Sequence, residues 1–265
     1  MNKFKISTLQ FSPAFGNADE TISTLSPLLE KATSSDLVVL PELSNSGYNF
    51  KDFDEAYSFS EDPKKSGFVD FLTAQCRKYN FSVVAGFNER SGDQIFNSAL
   101  LINKNGIAGK YRKIQLFWNE KDYFTPGDKK PEIYDVAGAK IGILICFDWV
   151  FAELWNGLAR EGADIICHPS NLVLPGKAQK AIPVWAMTNK IYITTANRIG
   201  SEGNLTFTGN SIIASPSGDI VASASAEKSE IISADCDLSL SRDKMITPKN
   251  HVFLDRRTEL YDFYL

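Results

Sequence analysis

The 265 residues suffice for a large core, as one big α/β domain or two smaller ones. With 43% hydrophobic and 23% charged residues and a net charge of −4, the composition is that of an ordinary globular chain and gives no electrostatic reason to expect nucleic acid or an anionic membrane as partner. Met1 to Ser7 contain no apolar signal region and no run approaches a membrane-spanning length, so a soluble, cytoplasmic protein is expected. Cys76, Cys146, Cys167 and Cys236 are widely spaced, without a CxxC pair, and read as reduced thiols. His168 and His251 lie in no ligand-spaced cluster, so zinc is not expected.

Lys5 to Phe11 reads as a first strand, broken by Pro13 and Gly16. Ile22, Leu25, Leu28, Leu29 and Ala32 then form a helical stripe, and Asp36 to Pro41 a buried strand followed at once by Glu42. Asp62-Pro63 predicts a helix start, with Phe68, Phe71, Leu72, Cys76 and Tyr79 on one face. Strands are expected at Phe81–Gly86, Asn97–Ile102 and Ile107–Tyr111, the last two joined at a turn over Asn103 to Gly106. A long loop carrying Glu120 and Pro126-Gly127 leads to Lys140-Ile-Gly-Ile-Leu-Ile-Cys146, a short strand buried on both faces. The apolar residues Phe151, Leu154, Trp155, Leu158 and Ala159 next describe an amphipathic helix, with Asp148 as its expected cap and Gly162 as its left-handed end.

Asp164–Cys167 and Ile191–Ala196 read as strands, separated by a helix around Pro183 to Lys190. The end is β-rich, at 210–214, 220–222 and 230–234. Helices alternating with strands early, and hairpins later, argue for one α/β domain with a mixed sheet or two packed sheets.

Glu42, Lys113 and Cys146 each follow a strand-like segment, and ligands of α/β proteins bind at the carboxyl ends of strands. A cysteine nucleophile needs a base, which a carboxylate can supply, and a lysine can stabilise negative charge on an attacked carbonyl. Cys146, at a strand-to-helix turn, is placed where helix N–H groups favour a thiolate and hold an oxyanion. Against this stand blander readings. Most cysteines are small buried hydrophobes, Glu42 fits a loop carboxylate, and Lys113 fits a surface lysine clustered with Lys110 and Arg112. A Cys–His pair, with His168 or His251 beside Cys146, is the competing catalytic arrangement.

Pro41-Glu42-Leu43-Ser-Asn-Ser-Gly47-Tyr48, Tyr111-Arg112-Lys113-Ile-Gln-Leu-Phe117 and Ile145-Cys146-Phe147-Asp148 together resemble the nitrilase superfamily of carbon–nitrogen hydrolases. Glu120 with Phe124 to Asp128, His168-Pro-Ser-Asn171, Ala196 to Gly200, Ser215 to Gly218 and Asp255 to Arg257 extend the resemblance over the whole chain, 1–265, as a single hydrolase domain. It implies a four-layer α-β-β-α sandwich of two mixed sheets flanked by helices, a homodimer or larger homo-oligomer, and neither cofactor nor metal. It also implies roles: Glu42 as general base, Cys146 as nucleophile, Lys113 and the Phe147 N–H as oxyanion donors, and Glu120 as the group that orients the lysine. Tyr48, Phe147, Trp149 and Asn171 are the expected substrate-binding residues.

Many relatives carry arginine four residues after the nucleophile, where this chain has Val150, which cannot pair with a substrate carboxylate. That favours a small uncharged amide. Nitrile hydrolysis and N-carbamoyl or ω-amide hydrolysis are alternatives, and a catalytically silent binding or scaffold protein is the alternative from another class.

Overall fold

The computed structural model describes residues 3–260. The first part of the chain runs β1 (Lys3–Gln10), α1 (Ala18–Glu30), β2 (Leu37–Val39), α2 (Phe53–Ser58), α3 (Gly67–Tyr79), β3 (Ser82–Ser91), β4 (Gln94–Asn103) and β5 (Gly106–Arg112). After α4 (Glu120–Tyr123) come β6 (Tyr134–Val136), β7 (Ala139–Ile143), a 3-10 turn at Cys146–Val150, α5 (Ala152–Arg160), β8 (Ile165–Ser170), α6 (Lys177–Asn189) and β9 (Tyr192–Asn197). A small ribbon of β10 (Ser201–Glu202) and β11 (Leu205–Thr206) precedes β12 (Ile212–Ala214), β13 (Ile220–Ser223), β14 (Glu230–Asp237) and α7 (Leu238–Arg242), and the pair β15 (Met245–Thr247) and β16 (Asn250–His251) follows.

Two six-stranded mixed sheets result, ordered β14-β1-β2-β3-β4-β5 and β13-β12-β9-β8-β7-β6. Side chains of a strand alternate between its faces, and here both faces are apolar. Phe4, Ile6, Leu37, Val39, Val84, Ala99 and Leu101 meet Ile141, Ile143, Ile165, Cys167 and Ile193 between the sheets. The interleaved residues Leu9, Val38, Leu40, Val83, Ala85, Leu100 and Ile102 pack outward on Leu25 and Leu29 of α1 and on Phe68, Leu72 and Cys76 of α3. On the far side Trp155 and Leu158 of α5 and Ala178, Ile182 and Ala186 of α6 cover the second sheet. The four-layer α-β-β-α sandwich is therefore the architecture, and Cys76 and Cys167 are core thiols.

Several boundaries differ from the sequence reading. The helix expected from Asp62 begins at Gly67, because Ser66 is the cap whose hydroxyl accepts from Val69 N, 3.2 Å away. Asp62 instead closes a turn with Lys64 N, and Lys64 and Lys65 remain exposed while Phe68 onward is buried. The helix expected at Pro183 starts a turn and a half earlier, with Pro183 inside it. Strand β3 continues through Asn88, Glu89 and Arg90 and β4 begins at Gln94, since their ladder runs to Ser91↔Gln94 around Gly92. Asp148 does not cap α5. It lies in the 3-10 turn, its carboxylate turned back to Ile145 N and the Tyr111 hydroxyl.

Candidate active site

Parallel pairing of β1, β2 and β3, and of β7, β8 and β9, sends the carboxyl ends of these strands to one edge of the sandwich. Two antiparallel steps return β5 to the direction of β3. Glu42 after β2, Lys113 after β5, Cys146 after β7 and Asn171 after β8 thus arrive together, and α4 brings Glu120. Two glycines let the backbone close around them. A Cβ on Gly86 would stand 2.3 Å from the Glu42 Cα, and one on Gly127 would stand 2.3 Å from the Arg112 carbonyl oxygen.

Glu42, Lys113 and Glu120 are fully buried. The Lys113 ammonium donates to Glu42 Oε1 at 2.7 Å and Glu120 Oε1 at 2.8 Å. Asn97 Nδ2 donates to the same Glu42 oxygen at 2.7 Å, and the Tyr48 hydroxyl to Glu120 Oε1 at 2.7 Å. Glu120 Oε2 accepts from Phe117 N at 3.2 Å. Glu42 Oε2 is buried with no hydrogen-bond partner among the described residues, which leaves a carboxylate acceptor uncommitted while its charge acts on Cys146. Burial opposes a charged Lys113, but the carboxylates of Glu120 and Glu42 outweigh it and hold the ammonium firmly protonated. Glu120 is raised above the usual carboxylate range, by burial and by Glu42, with Lys113 in opposition.

Cys146 behaves differently from the sequence expectation. Burial and the negative charge of Glu42 raise its thiol well above the ordinary range, and Lys113 only partly offsets them. The resting group is a thiol, so a base must take its proton as it reacts. The backbone at Cys146 is left-handed, with φ of 41°, a conformation that costs an ordinary residue about 1–3 kcal/mol. Its surroundings hold it there. His168 Nε2 lies 2.8 Å from the Cys146 carbonyl oxygen, and Asp148 Oδ2 accepts from Ile145 N at 2.8 Å and from the Tyr111 hydroxyl at 2.9 Å. Burial lowers His168 to about 4 and raises Asp148 to about 7. His168 therefore faces the backbone of Cys146 as a neutral imidazole, which removes support from the Cys–His alternative.

Beside Cys146 lies a narrow cleft of only about 10 Å³, walled by Phe117, Phe147, Trp149, Asn171, Leu172, Val173 and Leu174. Of the expected substrate-binding residues, Phe147, Trp149 and Asn171 line it. Tyr48 does not; it stands behind Glu120 as a hydrogen-bond donor. The Asn171 amide donates to the Glu42 carbonyl at 3.0 Å, while its Oδ1 is buried without a partner among the described residues. Val150 is 42% exposed and is no wall of the cleft, so its bearing on substrate charge passes to the walls themselves. Sequence reasoning missed Asn97, whose signal was a lone amide opening an otherwise apolar strand. It also missed the buried Arg198–Glu202 pair, 2.6 Å apart, whose carboxylate accepts from Tyr48 N and Asn49 N and so fixes the loop after Glu42.

This sandwich, with its helices outside and its polar cluster at the strand ends, is the nitrilase fold. The chain belongs to the carbon–nitrogen hydrolase family, whose model matches residues 5–244. The nitrilase of Pyrococcus abyssi (strain GE5 / Orsay) is 40% identical over 259 residues, covering 97% of this chain and 98% of its own length. The 2-oxoglutaramate amidase of Bacillus subtilis (strain 168) is 29% identical over 266 residues, covering 98% of this chain and all of its own, 100%. The crystal structure of a carbon-nitrogen hydrolase from Helicobacter pylori G27 superposes with a TM-score of 0.83 at 28% identity, covering 98% of this chain and 97% of that one.

Proposed function

We propose that the chain is an amidase that releases ammonia from a small, uncharged, apolar amide through a thioester on Cys146. The observation that carries this reading is the buried Glu42–Lys113–Glu120 cluster, with Lys113 2.7 Å from Glu42 and the second Glu42 oxygen unpaired. Glu42 takes the Cys146 proton as sulfur attacks the amide carbon, and the C=O π pair moves to oxygen, held by Lys113 and the Phe147 N–H. The C–N bond breaks as Glu42 returns the proton to nitrogen, and ammonia leaves. A water gives a proton to Glu42 and attacks the thioester, releasing the carboxylic acid and restoring the thiol. Glu120, bonded to Lys113, Tyr48 and Phe117 N, keeps the ammonium aimed.

The acyl group is inferred from the walls. Phe117, Phe147, Trp149, Leu172, Val173 and Leu174 offer no cation to a substrate carboxylate. Walls of that character suit a small apolar acyl group better than a charged ω-amido or carbamoyl acid. Nitrile hydrolysis is the second reading, favoured by the relative from Pyrococcus abyssi named nitrilase. The same sulfur would add to the nitrile carbon to give a thioimidate, which one water converts to the thioester with loss of ammonia. Ammonia release from matched series of aliphatic amides, nitriles and ω-amido acids tests both. Amides should lead, and release from none of them, with Cys146 still alkylated by iodoacetamide, would defeat the hydrolase reading.

The exposed Val150, Val184 and Met187 of the α5–α6 side support pairing with a second copy of the chain. Four free buried thiols fit a reducing cytoplasm. No helix among the described residues is long and apolar enough to cross a membrane.

A further inference from the structure

We propose that His168 is a positioning residue for the oxyanion site, acting through the peptide bond between Cys146 and Phe147. The inference rests on the reading of the Phe147 N–H as an oxyanion donor. A peptide unit is planar and trans, so its C=O and N–H point in opposite directions. Fixing the Cys146 carbonyl therefore fixes the aim of the Phe147 N–H. The carbonyl can only accept, so the His168 Nε2 at 2.8 Å must be the donor. The tautomer is then settled: Nδ1 carries no proton and accepts from the Thr195 hydroxyl at 3.1 Å, with Ser170 Oγ at 3.3 Å.

The ring is fully buried and has no room to turn. Trp155 packs edge-on against it with ring centroids 5.4 Å apart, and the Trp155 N–H is itself tied to the Asp148 carbonyl at 3.1 Å. The result is a chain of donors, from hydroxyl to imidazole to peptide carbonyl, that ends at the Phe147 N–H. That N–H has no acceptor among the described residues, and Phe147 is a wall of the cleft. A hydrogen bond at one end of a peptide also polarises it and strengthens the donor at the other. The left-handed backbone at Cys146, φ of 41°, is a conformation that neighbouring contacts must hold, and the His168 bond is the one made to the carbonyl of this peptide.

The test avoids turnover. Cys146 sulfur adds to the carbon of butanal, the π pair moves to oxygen, and the thiol proton passes to Glu42, so the hemithioacetal oxygen reports on the oxyanion site. His168→Met removes the donor at similar volume, and His168→Gln restores an N–H. His168→Met should weaken butanal binding by about 10- to 100-fold, while iodoacetamide alkylation of Cys146, which develops no oxyanion, changes by less than about threefold. His168→Gln should recover most of the loss. Thr195→Val, a milder change should His168→Met not fold, is expected to weaken butanal binding about three- to tenfold. Unchanged butanal affinity in the folded variants overturns the proposal. So does a parallel loss of alkylation without rescue by glutamine, which would make His168 part of the scaffold only. Butanal capture by the wild type without hydrolysis of any amide or nitrile would sink the hydrolase reading and leave the role of His168 standing. Failure of the wild type to capture butanal would sink both.

Discussion

Two charge clusters around buried carboxylates flank the end of β5, and they are built in opposite senses. Along residues 110 to 113 the side chains alternate. Lys110 and Arg112 turn to Glu89, while Tyr111 reaches Asp148 and Lys113 reaches Glu42 and Glu120. In the first cluster two cations share one carboxylate. Lys110 and Arg112 each approach Glu89 Oε1 at 2.6 Å, and Ser98 Oγ and Arg112 Nε approach Oε2 at 2.6 and 3.1 Å. Burial would raise Glu89, but these hydrogen bonds win and hold it below the usual range. The cations are partly in water, 38% and 21% exposed, and both carboxylate oxygens are occupied. In the second cluster two carboxylates share one cation away from solvent, a raised thiol lies in the same field, and one oxygen of Glu42 is unpaired. A buried carboxylate is common to both. Surplus negative charge and an idle acceptor separate a site poised to move a proton from an ion pair that only holds a hairpin.

Breaking the second cluster should have the largest effect. Glu42→Gln keeps the shape and removes the base, and turnover of a small apolar amide should fall at least about a thousandfold. Retention of a tenth of the activity would show that another group takes the proton. Next in size is an effect of pH on stability. His168 is held at about 4 against an ordinary 6.5, so between these values the unfolded chain binds a proton that the native chain does not. The associated stability is present above about pH 6.5 and lost as pH falls toward 4, on the order of 3 kcal/mol in all. Denaturant midpoints should therefore show the wild type losing ground to His168→Gln over that window and not between pH 7 and 9. An advantage that grew toward acid would contradict the buried neutral ring.

Asn97→Ala sharpens the comparison from within the site. It removes the neutral donor to Glu42, and kcat should fall by about 10- to 100-fold with KM little changed. A change in KM alone would place Asn97 with substrate binding instead. The smallest effect on activity belongs to the first cluster. Glu89→Gln leaves two cations poorly matched and should lower stability by about 1–3 kcal/mol while kcat stays within about threefold. A large loss of kcat in a folded Glu89→Gln would mean that the clusters are coupled and the contrast drawn between them is false.

Much of this was legible because it rests on local rules. Strand ends at Pro41, Arg112 and Ile145 put Glu42, Lys113 and Cys146 at one edge, whereas the burial of Lys113 was not legible, because beside Lys110 and Arg112 it reads equally as a surface lysine. The cap of α3 was misplaced because Asp62 and Ser66 are both good caps, and only packing of Phe68 and Val69 on the sheet chooses between them. The thiolate expected at the strand-to-helix turn is overridden first by burial and then by Glu42, a residue distant in sequence, and both are felt only after folding. Asn97, His168 and Asp148 were hidden for the same reason, since their partners are backbone atoms or carboxylates on other elements. The cleft walls Leu172 to Leu174 lie in a loop whose apolar residues have no periodicity to read.

The central claim is that Cys146 carries the acyl group. Rapid acid quench of the protein with butanamide, followed by peptide mass spectrometry, tests it directly. The account predicts a butanoyl adduct, the amide less ammonia, on the peptide containing Cys146, absent from Cys146→Ala. An adduct on another residue, or turnover persisting in Cys146→Ala, would contradict it.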